Sequence, residues 1–146
     1  MRRAEDTVIL IVEDNEDDVF LMERALRAAK VTCAYRIVAD GEEATRYLRG
    51  EGKYADREQF PYPAIVFLDL KLPYMSGFEV LEWRHETKDL PPTVFIVITS
   101  SNEVRDLKRA YSLGASSYIV KPPTAEQLVD ILHAFKLYWL THNALP

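Results

Sequence analysis

The sequence predicts an α/β fold, a doubly wound five-stranded parallel sheet in the order 2-1-3-4-5 with helices on both faces. Three observations lead there. The runs TVILIV (7–12), AIVFLD (64–69) and TVFIVIT (93–99) are rich in β-branched residues and apolar on both sides, as strands covered by helices on both faces are. Helical patterns fill the gaps, so strand and helix alternate five times, which argues for parallel βαβ units with right-handed crossovers. A length of 146 residues suits one such domain with a core that needs no disulfide or metal.

Each element has its own warrant. AYRIVA (34–39) and SSYIVK (116–121) are weaker strands that complete the five. From Glu16 to Ala29 the apolar stripe is Val19, Met22, Ala25, Leu26 and Ala29, at helical spacing. Glu42 to Leu48 is a shorter helix, and another begins over Phe78 to Trp83 behind Ser76 and Gly77. Val104, Leu107, Ala110 and Tyr111 make a fourth stripe that stops before Gly114. Thr124, with Gln127 three residues on, is a capping-box start for a last helix along Leu128, Ile131, Leu132, Phe135 and Trp139. The one long connection runs from Gly50 to Pro63.

Composition narrows the function classes. With 18 Lys and Arg against 23 Asp and Glu the formal charge is −5, which does not favour nucleic acid. A single cysteine, Cys33, rules out an internal disulfide and reads as a partly buried inert thiol. No apolar run approaches the roughly 18–20 residues of a membrane span. The start MRRAEDTVIL has no apolar stretch of signal-peptide type. The expectation is a cytoplasmic protein without membrane contact: one domain over 1–146, its core about 7–141 and a tail over 142–146, with no output domain.

The chemistry gathers at the strand ends. In an open α/β sheet ligands sit outside the carboxyl ends of the strands where the strand order reverses, here between strands one and three. Strand one ends in Glu13-Asp14 and strand three in Asp69, so three carboxylates converge. They stay ionised together only beside a cation or a lysine. An all-oxygen set with retained waters is what Mg²⁺ prefers. The bland alternative, that each acid caps a helix, suits Asp14 or Asn15 alone but not Asp69, which is followed by LKLP. Strand four adds the hydroxyls of Thr99, Ser100 and Ser101, and strand five ends in Lys121, drawn toward a nearby anion.

VEDN (12–15), DLKLPYMSG (69–77), Thr99 with a small residue after it, and Lys121-Pro122 with Tyr118 three residues earlier together resemble the receiver domain of two-component response regulators, whose fold is flavodoxin-like. Order and spacing match over residues 7 to 141. The resemblance implies Asp69 as phosphoacceptor, and Glu13, Asp14, Asp69 and the Lys71 backbone carbonyl as the Mg²⁺ site. It implies Thr99 and Lys121 as the phosphate-sensing pair and Tyr118 as the switching aromatic. EDNEDDVFLMERAL (13–26), AYSLGASSYIVKP (110–122) and YWLTHNALP (138–146) are similar to the stand-alone receivers that partner bacterial phytochromes. The implied donor is a sensor histidine kinase of phytochrome type, and the output a contact with a downstream protein target. Such a protein is a phosphorylated signalling molecule with self-catalysed phosphotransfer and dephosphorylation, not an enzyme acting on others.

Other readings are a receiver-like interaction module working without phosphorylation, and a phosphorelay intermediate. A haloacid-dehalogenase-type phosphatase would need a second acid two residues after Asp69, where Lys71 stands. A nucleotide or flavin module would need a phosphate loop where Glu13-Asp14-Asn15 repels phosphate. His85, His133 and His142 have no metal-ligand spacing and read as surface residues. Lys71 and Ser101 lie where the resemblance puts the path of a hydrolytic water. Phe20 is expected to be exposed near the acids, where a donor helix could pack. Val129, Leu137 and Leu140 form a second apolar strip on the last helix and Leu145 follows without an evident core position. That pattern predicts a homodimer through the C-terminal region, in competition with docking on the kinase or target.

Overall fold

In the computed structural model, which describes residues 6–146, the chain alternates strand and helix as predicted. The arginine-and-acid start at residues 1–5 lies outside the described residues. The strands are β1 (Val8–Val12), β2 (Ala34–Val38), β3 (Ile65–Leu68), β4 (Val94–Thr99) and β5 (Ser117–Val120). The helices are α1 (Glu16–Ala28), α2 (Gly41–Arg49), α3 (Gly77–Glu86), α4 (Val104–Ser112) and α5 (Ala125–Phe135). All strand pairs are parallel and the order is β2-β1-β3-β4-β5.

Alternation along β1 divides the core. Ile9 and Ile11 face one layer with Met22 and Leu26 of α1 and Leu128 and Leu132 of α5. Leu10 and Val12 face the other with Tyr47 and Leu48 of α2, Val80 and Leu81 of α3, and Ala110 of α4. Burying each large aliphatic side chain of this kind contributes about 1.5–3 kcal/mol. The three central strands, apolar on both faces, are the ones the helices bury, with only Val94 at the start of β4 partly exposed.

Local signals set the helix starts. Asn15 Oδ1 accepts from the Asp18 amide at 3.0 Å, Asp40 Oδ1 from the Glu43 amide at 2.7 Å, and Thr124 Oγ1 from the Gln127 amide at 3.2 Å. Because Asn15 caps α1, Asp14 is left for the strand-end cluster.

Several expectations need correction. Val104 is 62% exposed and Tyr111 46%, so the α4 stripe reaches the core only through Ala110 and in part Leu107. Helix α4 packs over the edge strand β5, which offers less apolar surface than the inner strands. The 50–63 connection is ordered: it holds a 3₁₀ turn over Gly52–Ala55 and an aromatic cluster of Tyr47, Tyr54 and Phe60. Arg57 fastens it by donating to the carbonyls of Tyr47 at 2.9 Å and Leu48 at 3.0 Å, in the last turn of α2. After Phe135 the chain continues as a π turn over Lys136–His142. Its wider winding rotates the side chains away from the α-helical projection. Tyr138 therefore points out at 57% exposed, Val129 and Leu140 pack on the core, and Leu145 is buried in it. Of the expected second strip only Leu137, 57% exposed, faces outward.

Candidate functional site

Register builds the site. Val12 pairs with Leu68, so Glu13 and Asp69 leave their strands at the same level. The Asp69 amide donates to the Val12 carbonyl at 3.2 Å and that of Glu13 to Val38 at 3.1 Å. Thr99 pairs with Val120, which puts Lys121 one residue beyond the hydroxyl, and the Lys121 amide donates to the Thr99 carbonyl at 2.7 Å.

Lys121 is the hub. Its Nζ donates to Glu13 Oε1, Asp18 Oδ2 and Asp69 Oδ2, each at 2.7 Å. An ammonium has three N–H donors, and all three are engaged. Asp69 is buried, and its Oδ1 accepts from the Lys71 amide at 3.1 Å. Burial alone would push the Asp69 carboxyl up, but hydrogen bonding with Glu13, Lys121 and the Lys71 amide holds it below the usual range. The same hub holds Asp18 down against its partial burial. Burial, with the neighbouring Asp69 next, pushes Glu13 up to about 9. Burial opposes the charge on Lys121, yet the three carboxylates raise its pKa. The result is an ionised Asp69 beside a fixed positive charge, as a nucleophilic carboxylate requires.

The opposite side of Asp69 fits a divalent cation. Oxygens of Glu13, Asp14 and Asp69 lie within 4.8 Å of one another, with Asp14 exposed and the other two buried. Glu13 Oε2 is buried without a hydrogen-bond partner. A buried carboxylate oxygen left open is costly unless something occupies it. An all-oxygen donor set of this kind suits a hard cation that keeps several waters.

A second buried group is also open. Thr99 is wholly buried and its Oγ1 has no partner. Tyr118 is partly buried and its hydroxyl donates to the Ser101 carbonyl at 3.0 Å. Ser101 Oγ in turn donates to Asp106 Oδ2 at 2.6 Å and accepts from the Glu103 amide at 3.3 Å. The start of α4 is thus tied to the strand end that carries Thr99.

The loop between β3 and α3 is tight. The Met75 amide donates to the Pro73 carbonyl at 2.7 Å across Tyr74, whose φ is 65°. That is a γ-turn with a strained centre. The Gly77 amide closes the loop on the Leu70 carbonyl at 3.0 Å.

The structure therefore brings together Glu13, Asp14, Asp69, Thr99 and Lys121, with Tyr118 one hydrogen bond away through Ser101. Lys71 is exposed and reaches Asp69 through its amide. Phe20 is 58% exposed on α1, and the three histidines are exposed. Asp18 was not singled out from the sequence. The available signal was its place four residues after Asp14, one turn along a helix that starts at the acid pocket.

Comparison with known proteins agrees with this geometry. Residues 9–133 match the family model of the response regulator receiver domain. A probable methanogenesis regulatory protein, FilR2 of Methanothrix harundinacea, is 37% identical over 147 aligned positions, covering 98% of this chain and 90% of that protein. The crystal structure of the phosphorylated cyanobacterial phytochrome response regulator RcpA superposes with a TM-score of 0.87 at 34% identity, covering 96% of this chain and 98% of that one. The Mn²⁺-bound response regulator Rcp1, a protein of Synechocystis, gives a TM-score of 0.84 at 31% identity, with 96% and 99% covered. With its five-stranded parallel sheet in the order 2-1-3-4-5 and three carboxylates at the ends of its first and third strands, this chain belongs to the family of response regulator receiver domains.

Proposed function

We propose that the chain accepts a phosphoryl group on Asp69 from a sensor histidine kinase, with Mg²⁺, and so switches a protein-contact surface. The observation that carries this reading is the pair of open buried oxygens, Thr99 Oγ1 and Glu13 Oε2, at the strand ends that carry an Asp69 held by Lys121 at 2.7 Å. Glu13, Asp14, Asp69 and the Lys71 carbonyl would hold the cation. When bound, it neutralises charge on the carboxylate and the phosphoryl oxygens.

The chain's own residues do the rest. Asp69 attacks as a carboxylate, and Lys121 stabilises the negative charge from the other side. The Thr99 hydroxyl, without a partner beforehand, gains an acceptor in the phosphoryl oxygens. Its shift frees space toward Tyr118, whose bond to Ser101 is replaced as the ring turns in. Asp106 carries that change to α4 through Ser101.

The likeness to RcpA, a phytochrome response regulator, supports a phytochrome-type kinase as donor. The 37% identity to FilR2, a probable methanogenesis regulatory protein, supports a regulatory role without a phytochrome. Incubation with acetyl phosphate and Mg²⁺, followed by intact mass, tests the acceptor: one added phosphoryl mass is expected, absent in Asp69→Asn. Transfer from a purified phytochrome kinase compared with an unrelated histidine kinase tests the donor.

A further inference from the structure

We infer that Asp18 competes with a phosphoryl group on Asp69 for Lys121, so that it acts as a positioning residue holding the lysine on α1 in the resting state. The inference rests on the phosphoacceptor reading and adds to it a residue that competes with the phosphoryl group.

The argument starts from a full donor set. Nζ of Lys121 spends its three N–H groups on Glu13, Asp18 and Asp69 at 2.7 Å each. With acetyl phosphate as donor, the bond from phosphorus to the bridging acyl oxygen breaks, acetate leaves with the electron pair, and a bond from phosphorus to an Asp69 oxygen forms. The new group brings acceptor oxygens to a lysine that has no free N–H. The N–H that Asp69 accepts can pass to it, and any further N–H requires the bond to Glu13 or Asp18 to open.

Burial decides which. The Glu13 side chain is 7% exposed and cannot pass into water, so it stays in the pocket beside the lysine. The Asp18 side chain is 37% exposed, and its carboxylate passes into water at least cost. The Asp18 backbone does not depend on the lysine, because its amide is held by Asn15 Oδ1 at 3.0 Å. Charge acts in the same direction, since Asp18 is a negative group on the lysine that the phosphoryl dianion needs.

Asp18 therefore favours the unphosphorylated state, and its release frees the first turn of α1 from β5. The test uses the full chain and beryllofluoride with Mg²⁺ as a phosphoryl stand-in, its bound form followed by fluorine NMR. Asp18→Ala should bind beryllofluoride about two- to fivefold more tightly than wild type, the size of a partly exposed ion pair. Asp18→Glu, which keeps the charge and the reach, should restore the wild-type affinity. A merely structural role would weaken binding in the alanine variant. Equal or weaker binding by a folded Asp18→Ala chain overturns the inference and leaves the acceptor reading standing. Absence of bound beryllofluoride on the wild-type chain, with Asp69→Asn as the blank, overturns both.

Discussion

The start of α3 leans so closely on the end of β3 that a Cβ on Gly77 would fall 2.6 Å from Leu70 Cα and nearer still to the carbonyl oxygen of Asp69. Both neighbours are backbone, which cannot rotate away. Gly77→Ala should therefore destabilise the chain by about 1–3 kcal/mol, as overpacking against fixed atoms does. It should also slow labelling by acetyl phosphate, because the relief available is a shift of the loop that carries Asp69. Urea unfolding and the labelling rate read the two effects. A variant as stable as wild type would show that the loop accommodates the methyl group.

Glu13 supplies a pH dependence. Its folded pKa, raised to about 9, lies above the ordinary value of 4.5, so between those values the folded state holds a proton that the unfolded state has lost. Stability from this group is complete below the unfolded pKa and is lost as pH rises toward about 9. Asp69, whose folded pKa is lowered, works oppositely: its contribution is present above its unfolded value of 3.8 and is lost as pH falls below it. In the presence of a chelator, unfolding midpoints should decline from pH 5 to pH 9, and Glu13→Gln should flatten that decline. Mg²⁺ should flatten it too, since a cation replaces the proton on the carboxylate. Parallel wild-type and Glu13→Gln curves would contradict the assignment.

What was legible in the sequence followed from local rules. The strands were visible because continuous β-branched runs admit little else, and the acid cluster because the strand order makes the ends of β1 and β3 neighbours. Asp18 was hidden because its partner Lys121 is 103 residues away and the contact depends on how α1 lies over β5. The α4 stripe misled because periodicity reports an apolar face without saying how much core lies beneath it. Beyond Phe135 the expectation failed for a geometric reason: side chains were projected at α-helical spacing onto a segment that winds as a π turn.

Thr99 tests whether an unpartnered hydroxyl is held in reserve. Its Oγ1 is buried without a hydrogen bond in the unphosphorylated chain. Thr99→Val keeps the β-branched shape and removes the group, so it should stabilise the chain by about 1 kcal/mol. The same variant should still take up the phosphoryl group on Asp69 but lose the rearrangement at Tyr118, read by the ring resonances of Tyr118 with and without beryllofluoride. A destabilised Thr99→Val, with an intact Tyr118 response, would place the hydroxyl outside the switch.

The C-terminal region separates a core leucine from a surface one. Leu145 is 6% exposed and packs with Phe135 and Leu128, whereas Leu137 is 57% exposed beside Tyr138. Leu145→Ala should cost about 1.5–3 kcal/mol of stability, the value of burying a leucine, and leave the sedimentation coefficient unchanged. Leu137→Glu should stay within about 0.5 kcal/mol of wild type, as surface substitutions do. A homodimer through this region thus rests on Leu137 and Tyr138, not on Leu145. Two leucines across a two-fold axis supply about 3–6 kcal/mol, against an association cost of about 4–15 kcal/mol. On these values such a dimer is weaker than millimolar, and Leu137→Glu abolishes it. Sedimentation equilibrium of both chains, with and without acetyl phosphate, measures this directly. A wild-type chain that stays monomeric in both conditions excludes the dimer and leaves Leu137 and Tyr138 as a surface for the kinase or the target.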